Sequence, residues 1–333
     1  MDIGIDLGTA NVLISMGSKG IVLNEPSVVA YNKKTEEIIA VGGEADKMTG
    51  KTPDHIVVIR PLSDGVISDY NMNECMISEF IHRVTGRQML MPRIVMCIPS
   101  SITDVESRAV VDAARAAGAR KIYLIEEPVA ALLGSGVDIS KPEGNMVIDI
   151  GGGTTDVAVV SMNGIVTKTS VKMAGNRMDA AIMKYVSAKY RVLIGEKTAE
   201  SAKLTLANVY DPTGKVTAEV RGRHMLTGLP VRLTLTDTDI YEAIHDMTDD
   251  LVYALKNVLE QTPPELVGDI HSKGIMMSGG GALLGGLDKL LTAETGINCY
   301  PGYDPMTCVA KGASEAFKHL DTLLDGFIDV SLY

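Results

Sequence analysis

The sequence predicts an α/β fold made of two duplicated halves, each with a smaller subdomain inserted. Three observations predict it. The 333 residues exceed the roughly 250–300 at which a single core stops growing. Alternating apolar runs that read as β-meanders are followed by crossover helices, and this order occurs twice. An aspartate-led glycine turn joins two such strands once in each half: "DLGTAN" from Asp6 to Asn11, and "DIGGGTTD" from Asp149 to Asp156.

Along the chain, "IGIDLG", "NVLISM" and "IVLNEPSVVAY" alternate as strands, and the variable stretch from Asn32 to Pro61 reads as a small inserted subdomain. "NECMISEFIHRVTGR" carries apolar groups at helical spacing, and "PRIVMCIP" is a buried strand ending at Pro99. The Ala-rich "DVESRAVVDAARAAGAR" is a helix, "KIYLIE" a strand, and "PVAALLGSG" a helix opened by Pro128, which suits a first helical turn because it lacks an N–H. The polar segment "DISKPEG", residues 138–144, marks the boundary between the halves. The pattern then restarts as strand, glycine turn, strand and a third strand, "GIVTKTSVKMAG". A helix is expected from Asp179, a polar region to about Asp239, and a long helix from Ile240 to Leu259. The last unit, "GIMMSGGGALLGGLDKLLTAETG", reads as strand, glycine turn and helix stopped by Gly296.

The formal net charge of -11 argues against nucleic acid as a partner, because phosphate-binding surfaces cluster Lys and Arg. Cys75, Cys97, Cys299 and Cys308 show no C-x-x-C spacing, so they read as buried thiols in a reducing compartment and not as zinc ligands. No run of about 18 apolar residues announces a membrane span, and no basic, apolar leader opens the sequence. A cytoplasmic chain is expected.

In a dinucleotide fingerprint the glycines lead from a strand into a helix. Here both aspartate-led turns lead into another strand, so they are hairpin tips whose successive N–H groups can hold an anion. One tip from each half, facing the other, would clamp a polyphosphate. Asp6 and Asp149 would repel it unaided, and Mg²⁺ resolves that conflict. "SGGGALL", from Ser278 to Leu284, is a strand-to-helix turn that could admit a nucleoside or α-phosphate; alone, such a turn more often serves tight packing. Glu127 precedes Pro128 at a helix start. An isolated Glu there complements the helix dipole, whereas beside a Mg-bound polyphosphate it can orient or deprotonate water. Glu126 is the weaker choice.

Taken together, "DLGTAN", "EEPVAA", "DIGGGTTD" and "SGGGALL" resemble the actin/Hsp70/sugar-kinase superfamily of ATPases. "GIVLNEPSVVA", "RPLSDGVISDY", "IEEPVAALLG", "AEVRGRHMLTGLP", "LEQTPPEL" and "DPMTCVAKGA" further resemble the MreB family of bacterial actins, with its Mbl-type members, from Asp2 to about Ala316. The resemblance implies an actin-like (ribonuclease H-like) fold with a nucleotide cleft between the lobes. Domain IA is then expected over 1–31, 66–140 and 315–333, IB over 32–65, IIA over 141–178 and 244–314, and IIB over 179–243. It implies a slow ATPase with ATP and Mg²⁺ as cofactors; glycine turns read phosphate and not base, so GTP stays open. Glu127 and Thr154 would position the hydrolytic water, and Asp6 and Asp149 would face the metal, Asp149 counting also with the catalytic group. Gly8, Thr9, Ala10 and Asn11 would form one phosphate turn, and Gly151, Gly152, Gly153, Thr154 and Thr155 the other. Glu200 and Lys203 in "TAESAKLTL" match the helix beside the nucleoside, although by sequence alone they are a surface pair at i, i+3. Gly279, Gly280, Gly281 and Ala282 complete the site.

The family also implies self-assembly into filaments, with paired protofilaments, on the inner face of the cytoplasmic membrane, guiding wall synthesis with membrane proteins such as RodZ, MreC and MreD. Many relatives begin with a basic amphipathic helix. This sequence opens on a strand, so the expected membrane contact is the loop "QMLMP", through Met89, Leu90 and Met91. The competing readings are a small-molecule kinase or phosphatase, which needs a second general base that no residues here supply, and an Hsp70-like ATPase, which needs a further substrate-binding region.

Overall fold

The computed structural model describes residues 1–86 and 92–330. The expected membrane loop, Met89 to Met91, lies outside the described residues.

The first half runs β1 (Asp2–Leu7), β2 (Asn11–Ser15), β3 (Ile21–Pro26), β4 (Val29–Asn32), β5 (Ile38–Val41), α1 (Gly43–Asp46), β6 (Ile56–Ile59), β7 (Leu62–Ser63) and β8 (Val66–Ile67). It continues with α2 (Tyr70–Thr85), β9 (Arg93–Ile98), α3 (Asp104–Ala116), β10 (Lys121–Glu126) and α4 (Glu127–Gly134). In the second half stand β11 (Asn145–Ile150), β12 (Thr155–Ser161), β13 (Gly164–Val171), α5 (Gly175–Tyr190), β14 (Val192–Leu193), α6 (Glu196–Leu206), β15 (Thr217–His224) and β16 (Pro230–Thr236). The chain closes with α7 (Asp237–Gln261), α8 (Pro264–Lys273), β17 (Ile275–Ser278), α9 (Leu287–Thr295), β18 (Cys299–Pro301), α10 (Cys308–Glu315) and β19 (Phe327–Asp329).

The duplication holds strand for strand. One sheet has the order β3-β2-β1-β9-β10, extended by β19, and the other β13-β12-β11-β17-β18. In each, three antiparallel strands form a meander, and two parallel strands are added on the far side of the first. β11 is buried at every position, the expected pattern of a central strand covered on both faces. The inserted subdomains are a sheet of order β5-β4-β6 in the first half and one of order β14-β15-β16 in the second.

Helices α4 and α10 cross between the two sheets, and α10 also packs on β1, so chain from the second half returns to the first. The crossing is close because it is made at glycines. A Cβ at Gly312 would stand 1.8 Å from the Ala130 carbonyl oxygen, and one at Gly134 would stand 1.8 Å from that of Cys308. The apolar cluster around them mixes Val129 and Leu132 with Val147, Val160 and Met276, joining the two halves through one core.

Several boundaries differ from the sequence reading, among them three helix starts in the second half. α5 begins at Gly175, four residues earlier than expected, because its first turn is held by Gly151 and Gly152 and not by a capping side chain. α7 begins at Asp237, where Thr236 and Asp239 form a capping box. Within "SGGGALL" the chain makes a 3₁₀ turn, Gly280–Leu283, and the α-helix starts only at Leu287. Of the four cysteines, three are buried and Cys75 is half-buried. No helix among the described residues is long and apolar enough to cross a membrane.

Candidate functional site

Two hairpin tips meet at the floor of the cleft. Leu7 pairs with Val12 and Ile150 with Thr155, which leaves Gly8 to Asn11 and Gly151 to Thr154 as equivalent turns. Asp6 and Asp149 occupy matching positions, one residue before the end of β1 and β11. The tips touch: a Cβ at Gly153 would lie 2.4 Å from Thr9 Oγ1, and one at Gly152 would lie 2.8 Å from Ala10 Cβ. None of Gly8, Gly151, Gly152 and Gly153 adopts a positive φ. Glycine is required here for close approach and exposed N–H groups, and not for left-handed backbone.

The cleft has a volume of about 330 Å³, within the usual range for a small-molecule site. Asp6, Gly8, Thr9, Ala10, Asn11, Glu127, Asp149, Gly151 to Thr154, Glu200, Lys203 and Gly279 to Gly281 all line it. Thr155 and Ala282 do not. The Thr155 hydroxyl donates to the Met173 carbonyl at 2.5 Å, and Ala282 is buried in the core of the second half. Gly279 and Gly281 partly serve packing, since a Cβ on either would strike Ile150, whereas Gly280 has open space around it.

Four carboxyls collect beneath the tips. Burial pushes Asp6 up to about 7, with the charge of Asp149 adding to it. Asp149 is likewise lifted by burial to about 7, although the Ser278 hydroxyl donates to it and pulls the other way. Glu127, buried at the start of α4, is raised well above the usual carboxylate range by desolvation and then by Asp156, Asp149 and Asp6. Asp156 is lifted to about 6, chiefly by burial; its Oδ1 accepts the Ser100 N–H at 2.8 Å across the lobes. Glu126 instead binds Lys168 at 2.6 Å and does not line the cleft, which agrees with its lower standing in the sequence. Among the described residues no group of three or more His, Cys, Asp or Glu could hold a metal ion. Asp6 and Asp149 offer hard oxygens to a cation that keeps most of its shell as water and phosphate, and this donor set fits Mg²⁺.

The end of the cleft beside α6 departs from the surface pair that i, i+3 spacing alone suggests for Glu200 and Lys203. Lys203 is only 8 % exposed, and its ammonium binds Asp179 at 2.8 Å and the Gly175 carbonyl at 3.0 Å. An apolar wall of Leu204, Leu283, Leu284, Pro305 and Met306 lines the same end. Gly65, in the β7–β8 turn, reaches in from the first lobe, its N–H donating to Thr9 Oγ1 at 3.1 Å. As cleft residues, Asp179, Asn176, Gly65, Leu204, Pro305 and Met306 are absent from the sequence reading, whereas Leu283 and Leu284 close the "SGGGALL" turn. The one signal for Asp179 is its place on the helix that follows the second meander.

The family model described as MreB/Mbl protein matches residues 1–325. Cell shape-determining protein Mbl of Bacillus subtilis (strain 168) is 48% identical over 323 residues, covering 97% of each chain. Crystal structures of MreB5 of Spiroplasma citri, bound to ADP and to AMPPNP, superpose with TM-scores of 0.91 and 0.88 at 36% and 35% identity, covering 96% of each chain. The MamK double helical filament, at 20% identity and covering 95% of this chain and 98% of that one, shares the fold with a TM-score of 0.81.

Proposed function

Because this chain belongs to the MreB/Mbl family of cell shape-determining bacterial actins, we propose that its cleft binds ATP with Mg²⁺, hydrolyses it slowly, and uses that cycle to assemble and disassemble a filament. The observation that carries this reading is the contact between the two glycine turns, one from each lobe, above Asp6, Asp149 and Glu127. The N–H groups of Gly8 to Asn11 and Gly151 to Thr154 hold the phosphates from two sides. Asp6 and Asp149 would hold Mg²⁺, which when bound offsets the charge of the phosphates. Glu127 takes a proton from the attacking water while Thr154 helps orient it. The water oxygen bonds to the γ-phosphorus, and the bond to the β-phosphate oxygen breaks.

ADP and AMPPNP in the MreB5 structures support nucleotide as the ligand; the turns leave the base open, so GTP is an alternative substrate. Family membership sets aside the kinase and Hsp70-like readings. The same membership supports a polymer, with paired protofilaments, peripheral on the inner face of the cytoplasmic membrane, working with wall-synthesis proteins such as RodZ, MreC and MreD. Met89, Leu90 and Met91 remain the proposed lipid contact. Each apolar side chain contributes about 1.5–3 kcal/mol at most, so a filament that sums many loops binds where a monomer does not.

Phosphate release from purified protein tests the enzymatic part. Wild type turns over Mg–ATP and Glu127→Ala does not, while both bind nucleotide alike. Equal rates in the two proteins remove Glu127 from the mechanism. Co-sedimentation of polymer with anionic liposomes tests the membrane part, and a triple change of Met89, Leu90 and Met91 to Ser is expected to abolish it.

A further inference from the structure

A buried ion pair at the nucleoside end is left unused by the phosphate turns. Lys203 on α6 and Asp179 on α5 are both less than a tenth exposed, with Lys203 Nζ 2.8 and 2.9 Å from the two carboxylate oxygens. A charge so placed persists only when paired. An ammonium carries three protons. Two of them are taken by hydrogen bonds to Asp179 Oδ2 at 2.9 Å and to the Gly175 carbonyl at 3.0 Å, while Asp179 Oδ1 makes none, and Lys203 still lines the cavity. The first turn of α5 is itself fastened to the second phosphate turn, since the N–H groups of Gly175 and Asn176 donate to the carbonyls of Gly151 and Gly152 at 3.2 and 2.9 Å.

We propose that Asp179 is a positioning residue for the nucleoside: it fixes the Lys203 ammonium at a set distance from the phosphate turn, with one proton left for a sugar hydroxyl of the bound nucleotide. The proposal rests on the nucleotide reading of the cleft. Paired with Asp179, Lys203 is electrically neutralised and acts by direction. Unpaired, its ammonium is no longer held in one direction, and the discrimination for a sugar is lost. Glu200, one turn earlier on α6 and also lining the cavity, supplies an acceptor beside this donor, a combination suited to vicinal hydroxyls.

The test is calorimetric titration of the full chain with three probes: Mg–ATP, Mg–2′,3′-dideoxy-ATP and Mg–tripolyphosphate. Wild type is expected to prefer ATP. In Asp179→Asn, ATP binding weakens about tenfold, the scale of one charge-assisted hydrogen bond, while dideoxy-ATP and tripolyphosphate bind as in wild type. Equal weakening of all three probes would show that Asp179 merely braces α5, and unchanged ATP binding would remove it altogether. Either result overturns the proposal. A wild type that binds none of the probes defeats the nucleotide reading itself. Should Asp179→Asn fail to fold, Asp179→Leu combined with Lys203→Met replaces the pair by apolar groups, a change that buried ion pairs often tolerate. That double variant is expected to bind ATP no better than dideoxy-ATP and to retain tripolyphosphate.

Discussion

In the proposed reaction Glu127 and the two aspartates divide the chemistry between them, and each should answer differently to substitution. Loss of Glu127 removes base catalysis, which contributes about 10²–10⁴-fold, so Glu127→Gln is expected to lower turnover by about that factor with nucleotide affinity retained. Asp149→Asn acts on binding of the Mg–nucleotide complex, and titration with Mg–ATP should show weaker affinity before any change in folding. The raised carboxyls also predict a pH dependence. Asp6 and Asp149, at about 7 when folded, lie above the unfolded value of about 3.9. Each therefore favours the folded state fully below about 4, and that contribution is lost as pH rises through about 7. Melting temperatures of nucleotide-free protein should fall between pH 5 and 8, less steeply in Asp149→Asn, and Mg–ATP should flatten the profile. Asp239 has the opposite sign: hydrogen bonds from Lys189, Tyr190 and Thr236 outweigh its burial and hold it down to about 2, so its contribution is present above about 4 and lost below it. At this scale the aspartate-led turns were legible, because Asp and Gly at fixed spacing between alternating strands encode a hairpin tip. The burial of Lys203 was not: spacing at i, i+3 suggests an exposed pair, resemblance alone put it in the cleft, and only the packing of α6 on α5 makes Asp179 its partner.

Between elements, helix ends carry the differences from the sequence reading and glycine contacts carry the strain. The capping box of Thr103 and Glu106 opens α3, and Thr103→Ala should cost about 1 kcal/mol, readable in urea unfolding. The buried alanines of that helix, Ala113 and Ala114, serve packing within the molecule. Gly312→Ala is a harsher change. Its methyl would enter the Ala130 carbonyl, and forced overpacking costs about 1–3 kcal/mol or more. A shift of the α4–α10 crossing would also move Glu127, so turnover should fall beyond what the lost stability explains. The early start of α5 has no local sequence signal because its first turn lacks a side-chain cap and is held by backbone from a distant turn. The 3₁₀ turn after Ser278 likewise depends on Ile150 filling the space beside Gly279 and Gly281, a contact that local propensity does not reveal.

For the whole molecule, duplication could be read from two repeats of one pattern, but the facing of the two tips came only from the chemistry of clamping a polyphosphate, since no local signal reports how two lobes are docked. The lobes are tied across the cleft by ion pairs between Lys197 and Asp46 at 2.6 Å and between Arg177 and Asp64 at 3.0 Å. Such partly exposed pairs contribute about 0–1 kcal/mol. Asp46→Ala should leave the melting temperature nearly unchanged while speeding nucleotide release, as followed by stopped-flow fluorescence of a labelled nucleotide. Assembly is a property of the same scale: a head-to-tail contact between unlike surfaces that does not close makes a filament. The proposed nucleotide cycle couples cleft to polymer, and high-speed sedimentation of wild type with and without Mg–ATP, across micromolar concentrations, tests that coupling most directly. Protein is expected to move to the pellet, as filaments, when Mg–ATP is present; protein that stays in the supernatant to the same extent in both conditions would contradict the coupling.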